Sequence, residues 1–293
     1  MLTNKLGLPQ PFVDAATASN EYTKDRYSVT AILGSQCEAI LKRRHHDEID
    51  DDVADRVWAI FGSAVHKVLQ EAKATDSQLQ ENWLAVPIEG TKYTLSGIFD
   101  LYDAETATVT DYKTCSVWKT QVGDFDDWQM QVLIYCWMLR KTGFQADHGE
   151  IVAIMRDHNM RKAKTEQGYP PHPVMKLSWD FTDDDFYFVE LYIKDWFAEL
   201  AKQEQLPDDC LTPCGLEQRW HKPDKYAIME KGKKRALKLC DSQEEAEEYA
   251  AQRGIDLGGK TYFVEFRKGE DTKCDSYCDV CRFCPLKKLE NPE

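Results

Sequence analysis

Apolar and polar residues alternate along Tyr93-Thr-Leu-Ser-Gly-Ile-Phe-Asp100, and again along Thr108-Val-Thr-Asp111-Tyr112-Lys113-Thr114. A period of two with β-branched enrichment predicts two strands, and the polar Asp103-Ala-Glu-Thr106 between them predicts a hairpin. Upstream, residues 54–72 place Val57, Ile60, Phe61, Ala64, Val65, Val68 and Leu69 at helical spacing, with Gly62 and His66 four apart. Downstream, residues 125–139 read as a helix with Gln131 and Tyr135 on one face. Residues 83–88 form a third strand candidate, and the apolar run at 148–156 reads as a buried strand. Residues 174–179 alternate, and 182–203 make an amphipathic helix with Phe186, Val189, Ile193, Trp196, Phe197 and Leu200 on its apolar side. The core therefore begins helix, strand, strand, strand, helix.

Less regular stretches frame it. Residues 1–26, with Pro9 and Pro11, read as an extended arm or loop. Ser28 opens a short capped helix bearing Cys37, and the acidic residues 47–52 mark the start of the helix that holds His66. Residues 161–173, charged and containing glycine and proline, are expected to be a mobile loop near substrate. Prolines break 205–235, Ser242 opens a helix with an S-x-x-E capping box, and 262–267 read as an edge strand. We expect one domain over 1–293: a core at 27–160, an extension at 161–270 that completes it, and a cysteine-rich segment at 271–293.

Charge narrows the function classes. A net charge of −14 excludes a generic coat for nucleic acid, which needs dense Lys and Arg to release counterions. Local basic clusters at 42–46, 156–164 and 231–238 remain candidates for guiding a strand. The chain has no run of eighteen apolar residues and its N-terminus has no apolar leader, so a cytoplasmic protein without a membrane role is expected. Ten cysteines in such a compartment are unlike a disulfide framework.

Side chains on a strand alternate, so Asp111 and Lys113 share one face. With the turn centred on Ala104 and Glu105, Asp100 becomes a diagonal neighbour of Asp111 on that face. Two carboxylates suit Mg2+ or Mn2+, and a lysine beside them can orient or help deprotonate a water, which is equipment for phosphodiester hydrolysis. A lone D-x-K on a strand is weak, since short motifs often occur without function. The order here is more specific: a Gly62-x3-His66 helix, a strand ending at Asp100, a strand with Asp111-Tyr112-Lys113, then a Gln131-x3-Tyr135 helix.

In that order the chain resembles the PD-(D/E)XK nuclease superfamily, in particular its RecB-like branch, which includes CRISPR-associated exonucleases and phage recombination nucleases. The resemblance implies an α/β, restriction-endonuclease-like core: a mixed central sheet flanked by helices, with helical extensions. It implies a metal-dependent deoxyribonuclease, most simply an exonuclease acting on single-stranded DNA or duplex ends in recombination, repair or phage DNA metabolism, in the host cytoplasm if phage-encoded. His66, Asp100 and Asp111 would bind one or two divalent ions, with the Tyr112 carbonyl completing the shell. Lys113 would position the nucleophilic water, and Gln131 and Tyr135 would hold a DNA phosphate or buttress Lys113. A non-cleaving DNA-end-binding module is the alternative, although retention of Asp100, Asp111 and Lys113 speaks against it.

The C-terminal Cys274-x3-Cys278-x2-Cys281-x2-Cys284 is too dense for packing alone, and thiolates so spaced hold Zn2+ or an iron–sulfur cluster. The resemblance implies a [4Fe-4S] cluster held by Cys37 from the N-terminal helix with Cys274, Cys278 and Cys284, a staple that leaves Cys281 over. Zn2+ closed locally by the C-terminal cysteines, in a zinc-stabilised interaction protein, is the competing reading. Cys210-x3-Cys214 followed by His221 gives half a zinc site with no fourth ligand nearby.

Overall fold

The computed structural model describes residues 2–17, 23–259 and 261–290, and the chain divides into two units, residues 1–212 and 213–293. The division falls inside the proline-broken stretch of the extension.

The first unit opens with β1 (Leu2–Thr3) and α1 (Gln10–Ala16), so the expected N-terminal arm holds a helix. Proline in its first turn sits where a missing N–H is harmless. β2 (Arg26–Ser28) leads into α2 (Val29–Ile32) and α3 (Gln36–Arg44). Ser28 accepts from the Ala31 N–H and Ser35 from the Glu38 N–H, so the one capped helix expected here is two, each with its own cap. β3 (Asp51–Asp52) pairs with β1, and α4 (Val57–Gln70) carries His66. Then come β4 (Gln78–Pro87), β5 (Thr94–Asp103), β6 (Thr108–Cys115), α5 (Val117–Val122), α6 (Asp126–Lys141) and β7 (His148–Met155). α7 (Met160–Thr165), β8 (Val174–Asp180) and α8 (Asp183–Gln203) complete the unit. The mobile loop expected at 161–173 thus begins as a helix, because Asn159 accepts from the Arg161 and Lys162 N–H groups and caps it.

Six strands form one mixed sheet, with helices flanking it. This is the restriction-endonuclease-like α/β arrangement. β5 is its hub: β4 runs antiparallel along it, β6 pairs antiparallel at Leu101–Asp103, and β2 pairs parallel at Thr94–Ser96. β7 lies parallel to β6 and β8 antiparallel to β7. Asp103 faces Thr108, so the turn spans residues 104–107 and is longer than a tight turn centred on Ala104 and Glu105. The register corrects the diagonal expected for Asp100. Asp100 and Asp111 are the next residues on the two strands beyond the last pair, Leu101 with Thr110.

α6 is apolar nearly all round and buries every side chain from Gln131 to Leu139, as befits a helix covered by both the sheet and α8. It comes very close to β5. A Cβ added at Gly97 would meet Tyr135 Cε1 at 2.7 Å, so glycine is what lets α6 in. α4 is the opposite case: despite its apolar sequence it buries no side chain.

The second unit has a three-stranded antiparallel sheet, with β10 (Lys225–Glu230) between β11 (Lys238–Cys240) and β12 (Tyr262–Arg267). β12 is thus an edge strand, as its pattern predicts. α9 (Gln243–Gln252), capped by Ser242, closes a small core of Ile228, Cys240 and Ala246. β9 (His221–Lys222) pairs with β13 (Glu270–Asp271), and α10 (Thr272–Ser276) and α11 (Pro285–Glu290) follow. No helix among the described residues is long and apolar enough to cross a membrane.

Candidate active site

β5 and β6 part company after Leu101 and Thr110, and the candidate site lies in that fork. A backbone N–H that leaves a ladder must find another acceptor. At Tyr112 that acceptor is Asp100, whose Oδ2 takes the Tyr112 N–H at 2.6 Å. The other oxygen, Oδ1, lies 3.1 Å from His66 Nδ1, so Asp100 ties α4 to the fork. The Tyr112 ring is half-buried and meets the His66 ring edge-on at 6.4 Å. One turn before His66, a Cβ on Gly62 would touch Thr114 Oγ1 at 3.5 Å, so β6 occupies the approach that glycine leaves open.

Asp111, Lys113 and Gln131 form a closed triangle. Lys113 Nζ is 2.7 Å from Asp111 Oδ2 and donates to Gln131 Oε1 at 2.7 Å, while Gln131 Nε2 donates to Asp111 Oδ1 at 3.1 Å. Asp111 is 3% exposed, and its Oδ2, although close to the ammonium, accepts no hydrogen bond of proper geometry. Burial pushes the Asp111 carboxyl up; Lys113 opposes the shift and Asp100 adds to it. Tyr135, one turn along α6, is buried, which pushes its hydroxyl up, with Asp111 adding and a hydrogen bond from Gln131 opposing.

The structure adds one residue that the sequence does not suggest. Glu81 on β4 has its Oε1 3.7 Å from His66 Nδ1. Burial raises its carboxyl and Asp100 raises it further, while His66 pulls it back. The hydrogen bond that His66 donates to Asp100 is the largest influence on the imidazole and raises it, against the effect of burial. His66, Glu81 and Asp100 each offer one ligand atom, all within 4.8 Å of one another. Imidazole nitrogen with carboxylate oxygens, beside a buried Asp111 oxygen that accepts no hydrogen bond, is a donor set that fits Mg2+ or Mn2+.

The cysteines divide between the units. Cys37 is buried on α3 in the first. In the second, the Cys274 thiol is pushed up to about 11, first by burial and then by Cys281, Asp271, Cys214 and Cys284. Cys281, which the set implied by the resemblance leaves over, and Cys214 both act on the Cys274 thiol. His221 is engaged elsewhere, its Nδ1 2.7 Å from Asp271 Oδ1. The basic cluster at 42–46 is also partly committed to structure, since Arg44 Nη1 donates to Asp208 Oδ1 at 2.6 Å.

A family model for the PD-(D/E)XK nuclease superfamily matches residues 73–287. Similar solved structures include SSO0001, at 15% identity over 64% of this chain and 83% of that one, with a TM-score of 0.46. The alkaline exonuclease LHK-Exo from Laribacter hongkongensis is 10% identical over 62% of this chain and 90% of its own, with a TM-score of 0.40. A phage-related exonuclease from Haemophilus somnus 129PT is 8% identical over 58% and 74%, with a TM-score of 0.29. No curated protein sequence matches the chain.

Proposed function

The chain belongs to the PD-(D/E)XK nuclease superfamily, and we propose that it is a divalent-metal-dependent deoxyribonuclease, an exonuclease acting on DNA strands or ends. The observation that carries this reading is the Asp111–Lys113–Gln131 triangle set beside the His66–Asp100 pair. His66, Asp100, Asp111 and the Tyr112 carbonyl would hold Mg2+ or Mn2+. The cation, when bound, supplies positive charge that polarises the scissile phosphoryl group. Lys113 is held by Asp111 and Gln131, so its ammonium is fixed where it can position a water for in-line attack. Gln131 keeps that ammonium in place, and Tyr135 backs Gln131 from the next turn of α6.

End-labelled single- and double-stranded DNA, incubated with Mg2+ or Mn2+ and read as ladders from each end, tests the proposal. Asp111→Ala and Lys113→Ala are expected to lower cleavage by about a hundredfold or more while DNA binding persists. Full activity in either variant, or in excess EDTA, overturns it.

A thiolate-held centre belongs to the same proposal. Cys214, Cys281 and Cys284 each raise the Cys274 thiol, which supports these four as one assignment of a centre where Zn2+ or an iron–sulfur cluster would fit the sulfur donors. The [4Fe-4S] set of Cys37, Cys274, Cys278 and Cys284 is the other assignment, and both sets include Cys274 and Cys284.

A further inference from the structure

Glu81 breaks the strand that holds it. On either side the ladder is regular, Gln80 facing Leu101 and Asn82 facing Phe99, and Glu81 falls between them, across from Asp100. Its φ is +50°, left-handed backbone that glycine adopts freely and other residues adopt at a cost of about 1 kcal/mol or more. Leu79 and Trp83, two places away on each side, are exposed, whereas the Glu81 side chain is only 21% exposed and turns toward His66.

From the juxtaposition of Glu81, His66 and Asp100 at this break, we propose that Glu81 is a further protein ligand of the divalent cation, an inference that rests on the metal-dependent reading above. The bland account is an ion pair that steadies His66. That account is weak, because His66 already has Asp100 at 3.1 Å while Glu81 stays at 3.7 Å. Gathering Glu81, Asp100 and Asp111 around one imidazole and one ammonium leaves more negative charge than the side chains themselves offset. The second observation is Asp111, 3% exposed, whose Oδ2 has the Lys113 ammonium 2.7 Å away but accepts no hydrogen bond of proper geometry. A cation would satisfy that oxygen and the surplus carboxylate together. Hard divalent cations take six or more oxygen or nitrogen donors, so a fourth protein side chain is readily accommodated and tightens binding.

The test is Mn2+ titrated calorimetrically into the full chain, with Tm measured with and without Mn2+, for wild type, Glu81→Gln, Glu81→Asn and Asp111→Asn. Asparagine tolerates left-handed backbone, so the two Glu81 variants separate loss of the carboxylate from a backbone effect. The expected result is a Kd for Mn2+ weakened about tenfold or more in both Glu81 variants. Their metal-free Tm should be unchanged or higher, and the rise in Tm on adding Mn2+ smaller. Wild-type Mn2+ affinity in both Glu81 variants, with Asp111→Asn impaired, overturns the role of Glu81 and leaves the nuclease reading intact. A metal-free Tm that falls in both variants with an undiminished Mn2+ response assigns Glu81 to structure and also overturns it. Failure of the wild-type chain to bind Mn2+ overturns both.

Discussion

Gln131 joins the two charged groups of the D-x-K motif, its amide nitrogen donating to Asp111 and its oxygen accepting from Lys113. A carboxamide offers both a donor and an acceptor in one planar group, so its orientation is fixed by the two ions it serves. Gln131→Ala leaves the ammonium to Asp111 alone. We expect kcat on labelled DNA to fall about tenfold, less than for Asp111→Ala. A Gln131→Ala enzyme with wild-type kcat would return both Gln131 and Tyr135 to packing roles. At this scale much of the site was legible. A period of two sets Asp111 with Lys113, and a spacing of four sets Gln131 with Tyr135. Glu81 was not legible, because the strand read from the sequence begins only at Trp83 and no glycine or asparagine marks the left-handed backbone at Glu81. The turn before β6 concealed the Asp100 register in the same way, since Ala107 has a φ of +51° that alanine does not advertise.

Among elements, the contact between α6 and α8 is the one that a single titrating group marks most clearly. Glu190 of α8 accepts from Lys141 Nζ at 2.8 Å, from Lys194 Nζ at 2.7 Å and from Trp137 Nε1 at 3.4 Å. Lys141 and Lys194, with help from Trp137 and against desolvation, lower its carboxyl from 4.5 to about 2. A depressed carboxyl contributes stability above its unfolded value, and that stability is lost as pH falls through the folded value. Glu190→Gln is therefore expected to lower stability by about 1 kcal/mol at neutral pH, the worth of a partly exposed ion-pair network. The gap from wild type should close between pH 4.5 and about 2 in urea melts. A gap that stays constant through that window would show that packing, not charge, carries the effect. Long elements such as α6, α8 and β7 were legible because several apolar positions repeat in each. α1 and α7 were not, because seven and six residues hold too few repeats for a period and their ends are decided by Pro11 and by the Asn159 cap.

For the whole molecule, the cysteines carry the sharpest open test. Iron and zinc analysis of the full chain, purified anaerobically, is expected to show metal lost in Cys274→Ala and Cys284→Ala, which belong to both candidate sets. Loss in Cys214→Ala and Cys281→Ala then assigns the centre to the second unit, and loss in Cys37→Ala and Cys278→Ala assigns it to the cluster implied by sequence. Metal retained in Cys274→Ala and Cys284→Ala rules out a thiolate centre of either kind. The sequence suggested the cysteine centre through spacing, but spacing counts only residues near in the chain, and Cys214 lies far upstream of Cys274. The fork has a consequence in time as well. Residues 104–107 alone separate β5 from β6, whereas β2 must bring Arg26 to Thr94, and β7 meets β6 only after α5 and α6 intervene. Short loops close at less entropic cost, so topology favours early pairing of the two carboxylate-bearing strands and late arrival of β2 on Thr94–Ser96. Asp100 and Asp111 thus lie at the end of the most local pairing in the sheet.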